Sequence, residues 1–400
     1  MTRMTPINST PTTIPPLPDA PPKHRPPRTR KRKPRAIQVA QAVVARSAMG
    51  LPLILGLNPS MNAARALGRW IPPNLLKKHF GRAVQNLSEA FPDWPQERVH
   101  QYAIHSYQHL AQLGVEIAFA PRLITHEGFA RHLVFTRIES ALAHLLRDGP
   151  VILITGHVGN WELIGYAISM LGFPMHAVYR PLDSEPLDQW LRDTRERRGL
   201  TLVSKFGAVR ALPPVLRAGH PVGLVADQSG GDRGLFTPFF GRLTSTYKSV
   251  GLLAMQTNAT VVCGMARRMR QGEPPPPGSW LETPGQGRQF TSTPEQPSLR
   301  YSVELVDTFS PKDWMSQPDP LFYLTARYRK AIETMVRMAP EQYFWMHRIW
   351  RSRPAHERLN KPFPANLRDK LLSLPWMSQA DVDAVIDRSR RDTLELHPSS

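Results

Sequence analysis

Val151-Ile-Leu-Ile-Thr-Gly-His157-Val-Gly-Asn160-Trp-Glu162 is the stretch on which the fold turns. Val151–Thr155 is an unbroken apolar and β-branched run, the pattern of a strand buried on both faces. Gly156 and Gly159 then permit a tight turn, and the residues from Trp161 onward read as a helix. Working outward, further short runs of the same kind appear at His176–Tyr179, Thr201–Val203, Pro221–Ala226, Thr260–Met265 and Ser302–Val306. Helical stretches lie between several of them, at Trp161–Leu171, Leu187–Arg198, Ala208–Arg217 and Lys248–Thr257. Strand–helix alternation of this kind predicts an α/β domain, with a mixed, largely parallel sheet flanked by helices. Helices are also expected over 96–120 and over Leu321–Met338, the second ended by Pro340.

Composition bounds the rest. The chain has 400 residues, of which 41% are apolar, nine are tryptophan and 41 are proline. That apolar share excludes global disorder. Ten prolines fall in residues 1–35 and seven in 272–298. The first stretch is expected to be a disordered basic arm and the second a loop insert. The body, 36–354, is expected to be one domain, and 355–400 a helical C-terminal tail. A single cysteine, Cys263, excludes a disulfide framework and a cysteine zinc site; it is expected to be a small buried hydrophobe.

The net charge is +19, with +8 in the first 35 residues and +11 in the remainder, so the partners of the folded part are expected to be anionic. No run of 18 uncharged apolar residues exists, which excludes a polytopic membrane protein. Residues 36–70 are expected to form a membrane-associating helical section. Within it, 37–57 would measure about 31 Å as a helix, long enough to span, but Arg46 and Pro52 interrupt the stretch and both flanks are basic. An in-plane or re-entrant anchor with both flanks on the cytoplasmic side fits that charge pattern better than a span. Nucleic acid is not expected as a partner, because nothing after the arm reads as a groove-reading module.

His157 and Glu162 carry the chemistry. Five residues apart on one helix they would diverge by about 140°. With His157 in the turn and Glu162 in the first helical turn they can meet. A neutral imidazole whose other nitrogen is held by a carboxylate takes a proton from an alcohol, and the alcohol becomes the nucleophile. The chain has no Gly-x-Ser-x-Gly elbow, which suits a hydroxyl borne by a substrate.

Gly156-His157-Val-Gly-Asn-Trp-Glu162 resembles the His-x4-Asp/Glu block of the lipid A biosynthesis lauroyl/myristoyl acyltransferases, within the lysophospholipid acyltransferase superfamily. Five more blocks are similar, in order: Asn86-Leu-Ser-Glu-Ala-Phe-Pro92, Tyr179-Arg180-Pro181, Ala226-Asp227-Gln228, Pro238-Phe-Phe-Gly241, and Ala339-Pro-Glu-Gln-Tyr-Phe-Trp-Met-His-Arg348. Together they cover roughly residues 75–354. The resemblance implies an acyltransferase in which His157 is the general base and Glu162 orients it. It puts Arg180, Asp227 and Asn160 among the substrate-binding residues. Arg180 would hold an acceptor phosphate or the thioester oxyanion, and Asp227 would position Arg180 or the acceptor hydroxyl. No resident cofactor or metal is implied; the co-substrate is an acyl carrier protein or CoA thioester. The implied partners are acyl carrier protein, an anionic membrane surface and a phosphorylated glycolipid acceptor, at the cytoplasmic face of the inner membrane. The basic arm, the insert and the tail depart from the family pattern and leave open an acceptor that is another glycolipid or a lysophospholipid. A non-catalytic lipid-binding protein of the same fold is the reading from a different class.

Overall fold

The computed structural model describes residues 34–125, 128–147, 149–197, 199–270, 272–277, 279 and 299–398. Nearly all of the expected arm and most of the expected insert lie outside the described residues. Four helices come first: α1 (Arg35–Leu55), α2 (Leu57–Leu75), α3 (Lys77–Ala90) and α4 (Gln96–Leu123). Then follow α5 (Phe129–His132), β1 (Leu133–Thr136), α6 (Glu139–Leu145), β2 (Val151–Thr155), α7 (Trp161–Met170) and β3 (His176–Tyr179). The chain continues through α8 (Glu185–Glu196), β4 (Thr201–Ser204), α9 (Ala208–Arg217), β5 (Val222–Val225), β6 (Leu235–Phe239) and β7 (Arg242–Thr246). After these come α10 (Lys248–Thr257), β8 (Thr260–Arg268), β9 (Tyr301–Phe309), α11 (Pro311–Trp314) and α12 (Pro320–Met338). Three helices close the chain: α13 (Ala355–Arg358), α14 (Ala365–Leu372) and α15 (Gln379–Leu396).

Seven strands form one sheet in the order β1-β9-β8-β2-β5-β3-β4. Every neighbouring pair is parallel except β8–β9. The fold is therefore the layered α/β arrangement with a mostly parallel sheet that the alternation predicts. Each predicted strand is present, although β8 and β9 run longer than the apolar runs that mark them. The pattern did not reveal β1, or the β6–β7 hairpin. In the hairpin, Pro238 argues against a strand, yet β6 pairs only with β7 and an edge tolerates proline. Its turn residues, Phe240 and Gly241, both have positive φ, as a tight two-residue hairpin turn requires.

Alternation along β2 divides the core. Val151 and Leu153 belong to a cluster with Leu163, Met175 and Val262 on one face. Ile152 and Ile154 belong to a larger one with Leu212, Ile332 and Trp345 on the other. Leu371, Leu374, Val382 and Val385 from the C-terminal helices are buried in that larger cluster. A buried charge network fastens the same segment. Asp392 accepts from Arg242 (2.9 Å) and from Arg353, Arg353 also grips Glu357 (2.7 and 2.9 Å), and Arg388 pairs with Glu89 on α3.

At the other end α1 is long and apolar enough to cross a membrane, by length and composition. Its Val43, Val44, Leu51, Ile54 and Leu55 are exposed. It lies against α4 and α8.

Candidate active site

Strand register builds the site. β2 and β5 are adjacent and parallel, with Thr155 opposite Val225. His157 and Asp227 each lie two residues beyond that pair, so both emerge side by side at the carboxyl edge of the sheet, where α/β folds place their ligands. The Asp227 carboxylate accepts from the His157 backbone N–H (3.0 Å) and from ring Nδ1 (2.6 Å). This double grip fixes the tautomer and leaves Nε2 as the basic nitrogen. Asp227 is 2% exposed, whereas 19% of the His157 side chain remains accessible.

Burial pulls the imidazole pKa down. The charge and hydrogen bond of Asp227, with a smaller contribution from the charge of Glu162, outweigh it, and the ring lies above its ordinary value of 6.5. Burial works against the Asp227 charge too, but the His157 ring and N–H hold that carboxyl well below its usual range.

The turn that carries His157 is clamped from several sides. Gly159 has φ +60°, and a Cβ there would run into the Ala266 carbonyl, so this position requires glycine. The Asn160 N–H donates to that same carbonyl (2.8 Å). The His157 carbonyl accepts from Phe344 N–H (3.0 Å), and the Gln342 carbonyl from Gly159 N–H (3.1 Å). Asn86 on α3 donates in turn to the carbonyls of Trp345 (2.6 Å) and His347 (2.7 Å). Three blocks far apart in sequence, around residues 86, 157 and 345, thus meet in one hydrogen-bonded unit.

Glu162 was expected to orient His157. The ring's hydrogen bond goes instead to Asp227, and both Glu162 oxygens are engaged by Arg195 of α8, Oε2 at 2.9 Å from Nε. Glu162 sits in the first turn of α7 and faces the neighbouring helix; its charge reaches His157 without a direct bond. Asn160 was expected to contact substrate. It is 4% exposed and caps α7: Oδ1 accepts from Leu163 N–H (3.3 Å), and Nδ2 donates to Glu116 (2.8 Å). Glu116 is fully buried and also receives Arg268 and the Tyr301 hydroxyl (2.6 Å). Asn160 therefore shapes the turn. Asp227 likewise faces His157 rather than Arg180. Arg180, one residue past β3, is exposed at the rim beside Lys205, whose pKa is lowered by burial and then by Arg180.

Several residues escaped sequence reasoning. Arg195 lies in a charged, amphipathic helix with no motif around it. Arg329, 1% exposed on α12, donates to the Asp227 carbonyl (2.5 Å) and stacks on Phe239. His347 falls in the last of the six blocks, where it was assigned no role. Its ring lies 5.0 Å from that of His157, and burial, opposed by Asp227, drives its pKa down to about 4. It is therefore a neutral imidazole beside the pair.

A cavity of about 760 Å³ opens beneath His157, Trp161 and Glu162. Its wall is mostly aliphatic: Leu153, Ile164 and Ile168 on one face of the sheet, Ile154, Leu212 and Leu253 on the other. Polar groups gather at its mouth, among them Arg180, Lys205, Gln228 and Tyr247. Among the described residues no cluster of three or more metal-ligating side chains occurs.

Fold and site together define an α/β protein with a histidine–aspartate pair set over an apolar cavity. Residues 32–275 match the family described as bacterial lipid A biosynthesis acyltransferase, and the chain belongs to it. It is 26% identical over 297 residues to a lipid A biosynthesis acyltransferase of Haemophilus influenzae, covering 73% of this chain and 82% of that one. To the lipid A biosynthesis lauroyltransferase of Escherichia coli it is 27% identical over 272 residues, 68% and 78% of the two chains. The E. coli palmitoleoyltransferase of the same process is 23% identical over 288 residues, 70% and 82%. The protein is an acyltransferase.

Proposed function

We propose that the protein moves a fatty acyl chain from an acyl carrier protein or CoA thioester to a hydroxyl of a lipid A precursor or related glycolipid. The observation that carries this reading is the His157–Asp227 pair, with His157 in the wall of an apolar cavity of about 760 Å³. The chain of the thioester lies in the cavity and its carbonyl comes to rest beside His157. Nε2 takes the proton of the acceptor hydroxyl, and Asp227 stabilises the imidazolium that results. The oxygen attacks the carbonyl carbon, forming the new C–O bond. The tetrahedral intermediate then collapses, the C–S bond breaks, and the imidazolium returns its proton to the departing thiolate. Atoms and charge balance without a cofactor. Glu162 supports the imidazolium through space and holds Arg195 at the cavity wall. Arg180 and Lys205 form a cationic rim suited to a phosphate of the acceptor or of the donor's carrier arm.

The reading extends to location. The exposed apolar face of α1 and the +11 body fit attachment to an anionic bilayer on its cytoplasmic side, where the acidic carrier protein is also found. The test is mass spectrometry of lipid A from a strain lacking the gene. One acyl chain should be missing, restored by the wild-type protein and not by His157→Ala. An unchanged lipid A profile would overturn the acceptor assignment. Restoration by His157→Ala would instead favour a non-catalytic lipid-binding role.

A further inference from the structure

On one face of the sheet the cavity under His157 is lined by residues of β2, β5, β3 and α7. Down that face the wall descends in two steps. Thr155, Val225 and Tyr179 form the upper rung; Leu153, Gly223 and Ala177 form the lower. Helix α7 covers the outer side with Ile164, Gly165 and Ile168. Leu171 at the end of α7, and Met175 and Leu200 just before β3 and β4, also line the cavity.

Gly223 is the exception in this wall. It leaves the central strand without a side chain on that face, and a Cβ built there would run into the terminal methyl of Met175. The neighbouring contacts are looser, with the Met175 sulfur at 4.0 Å. The Met175 tip thus occupies the space that any other residue at 223 would fill. It is a flexible, unbranched plug, 3% exposed. On the opposite face the wall includes Val209 and Leu252, both exposed.

We propose that Met175, lying over Gly223, is the floor of the acyl site and sets the length of chain the enzyme transfers. This rests on the acyltransferase reading above and adds to it a residue that selects among substrates. The depth follows from register. Gly223 is four residues before Asp227, and strands rise about 3.3 Å per residue, so the floor lies roughly 13 Å below the catalytic pair. An extended backbone advances about 3.5 Å for three bonds, so an extended alkyl chain covers that depth in roughly eleven bonds. A saturated chain of about twelve carbons therefore fits between the carbonyl position and the floor.

The experiment uses the full-length protein and a ladder of saturated thioesters from octanoyl to stearoyl. Turnover is measured with a lipid A precursor, and binding of the matching free fatty acids by native mass spectrometry. Met175→Ala should raise the ratio of palmitoyl to lauroyl transfer by about tenfold or more, since one methylene of misfit is commonly worth that much discrimination. Gly223→Val should shift preference toward shorter chains. Thermal unfolding confirms that each variant is folded, and Met175→Leu, which keeps the volume, should keep the wild-type profile. An unchanged chain-length profile in folded Met175→Ala overturns the proposal, as does a shift produced instead by Leu142→Trp or Leu253→Trp in the other arms of the cavity. If no thioester is turned over but the fatty-acid binding profile shifts as stated, the acyltransferase reading fails and the floor assignment stands.

Discussion

At the residue scale, the placement of one proton decides what the site can do. His157 acts as a base only when neutral. Its pKa is held above 6.5 by Asp227, so kcat/KM should rise with pH along an acid limb centred above that value. Asp227→Asn removes the charge that opposes burial. The acid limb should then move to lower pH, while kcat falls by about 10³–10⁴ because the tautomer is no longer fixed. Glu162→Gln should move the limb less, since that carboxylate contributes through space and its hydrogen bonds go to Arg195. A larger shift with Glu162→Gln than with Asp227→Asn would show that the carboxylates had been given the wrong roles. Steady-state pH profiles of the two variants decide it.

At the scale of elements, the site depends on segments outside the cavity wall. Asn86 on α3 holds the turn at Trp345 and His347, which holds the His157 turn. Asn86→Ala leaves one buried and one half-buried carbonyl without their donor, and each lost bond costs about 1–3 kcal/mol. Both stability and kcat should fall, and binding of fatty acid in the cavity, whose wall does not include Asn86, should change little. The C-terminal helices are fastened in the same indirect way. Asp392 is a buried carboxylate serving Arg242, Arg353 and Arg388. Breaking a buried pair of this kind costs about 3–5 kcal/mol, so Asp392→Ala should lower Tm by about 5 °C in a chain of this size. A Tm within a degree or two of wild type would mean that water reaches the network and replaces the lost charge. Differential scanning calorimetry reads this directly.

For the whole molecule, the proposed membrane attachment rests on the distribution of charge and apolar surface. The apolar residues of α1 are exposed on one end of a basic protein whose cavity mouth carries Arg180 and Lys205. Deleting residues 1–55 should abolish sedimentation with vesicles that contain anionic phospholipid, while a version lacking only 1–33 should bind with reduced strength. Both losses should be mimicked in part by salt, because the electrostatic share is screened beyond about 10 Å at 0.1 M. Binding that survives the longer deletion, in low salt and high, would place the membrane contact elsewhere. Trp70, Leu75 and Leu76, exposed on and after α2, would be the next surface to test.

What the sequence determined by itself is local. A short, β-branched apolar run bounded by glycine reads as a buried strand, and glycines at 156 and 159 permit the turn behind it. The repetition of that unit fixes a mostly parallel sheet, and the candidate base follows from where His157 falls in it. The partner of that base was not legible, because it depends on which strand lies next to β2. Spacing along the chain favours Glu162, five residues away; register across the sheet favours Asp227, seventy residues away. Only tertiary structure ranks the two, since hydrogen bonds depend on distance in space and strand order is set by the packing of every helix on both faces. The same holds for Asn160, whose amide meets Glu116 from a helix the turn itself does not specify. It holds for the cavity floor too, where a glycine on one strand and a methionine before another mean nothing until the sheet sets one over the other.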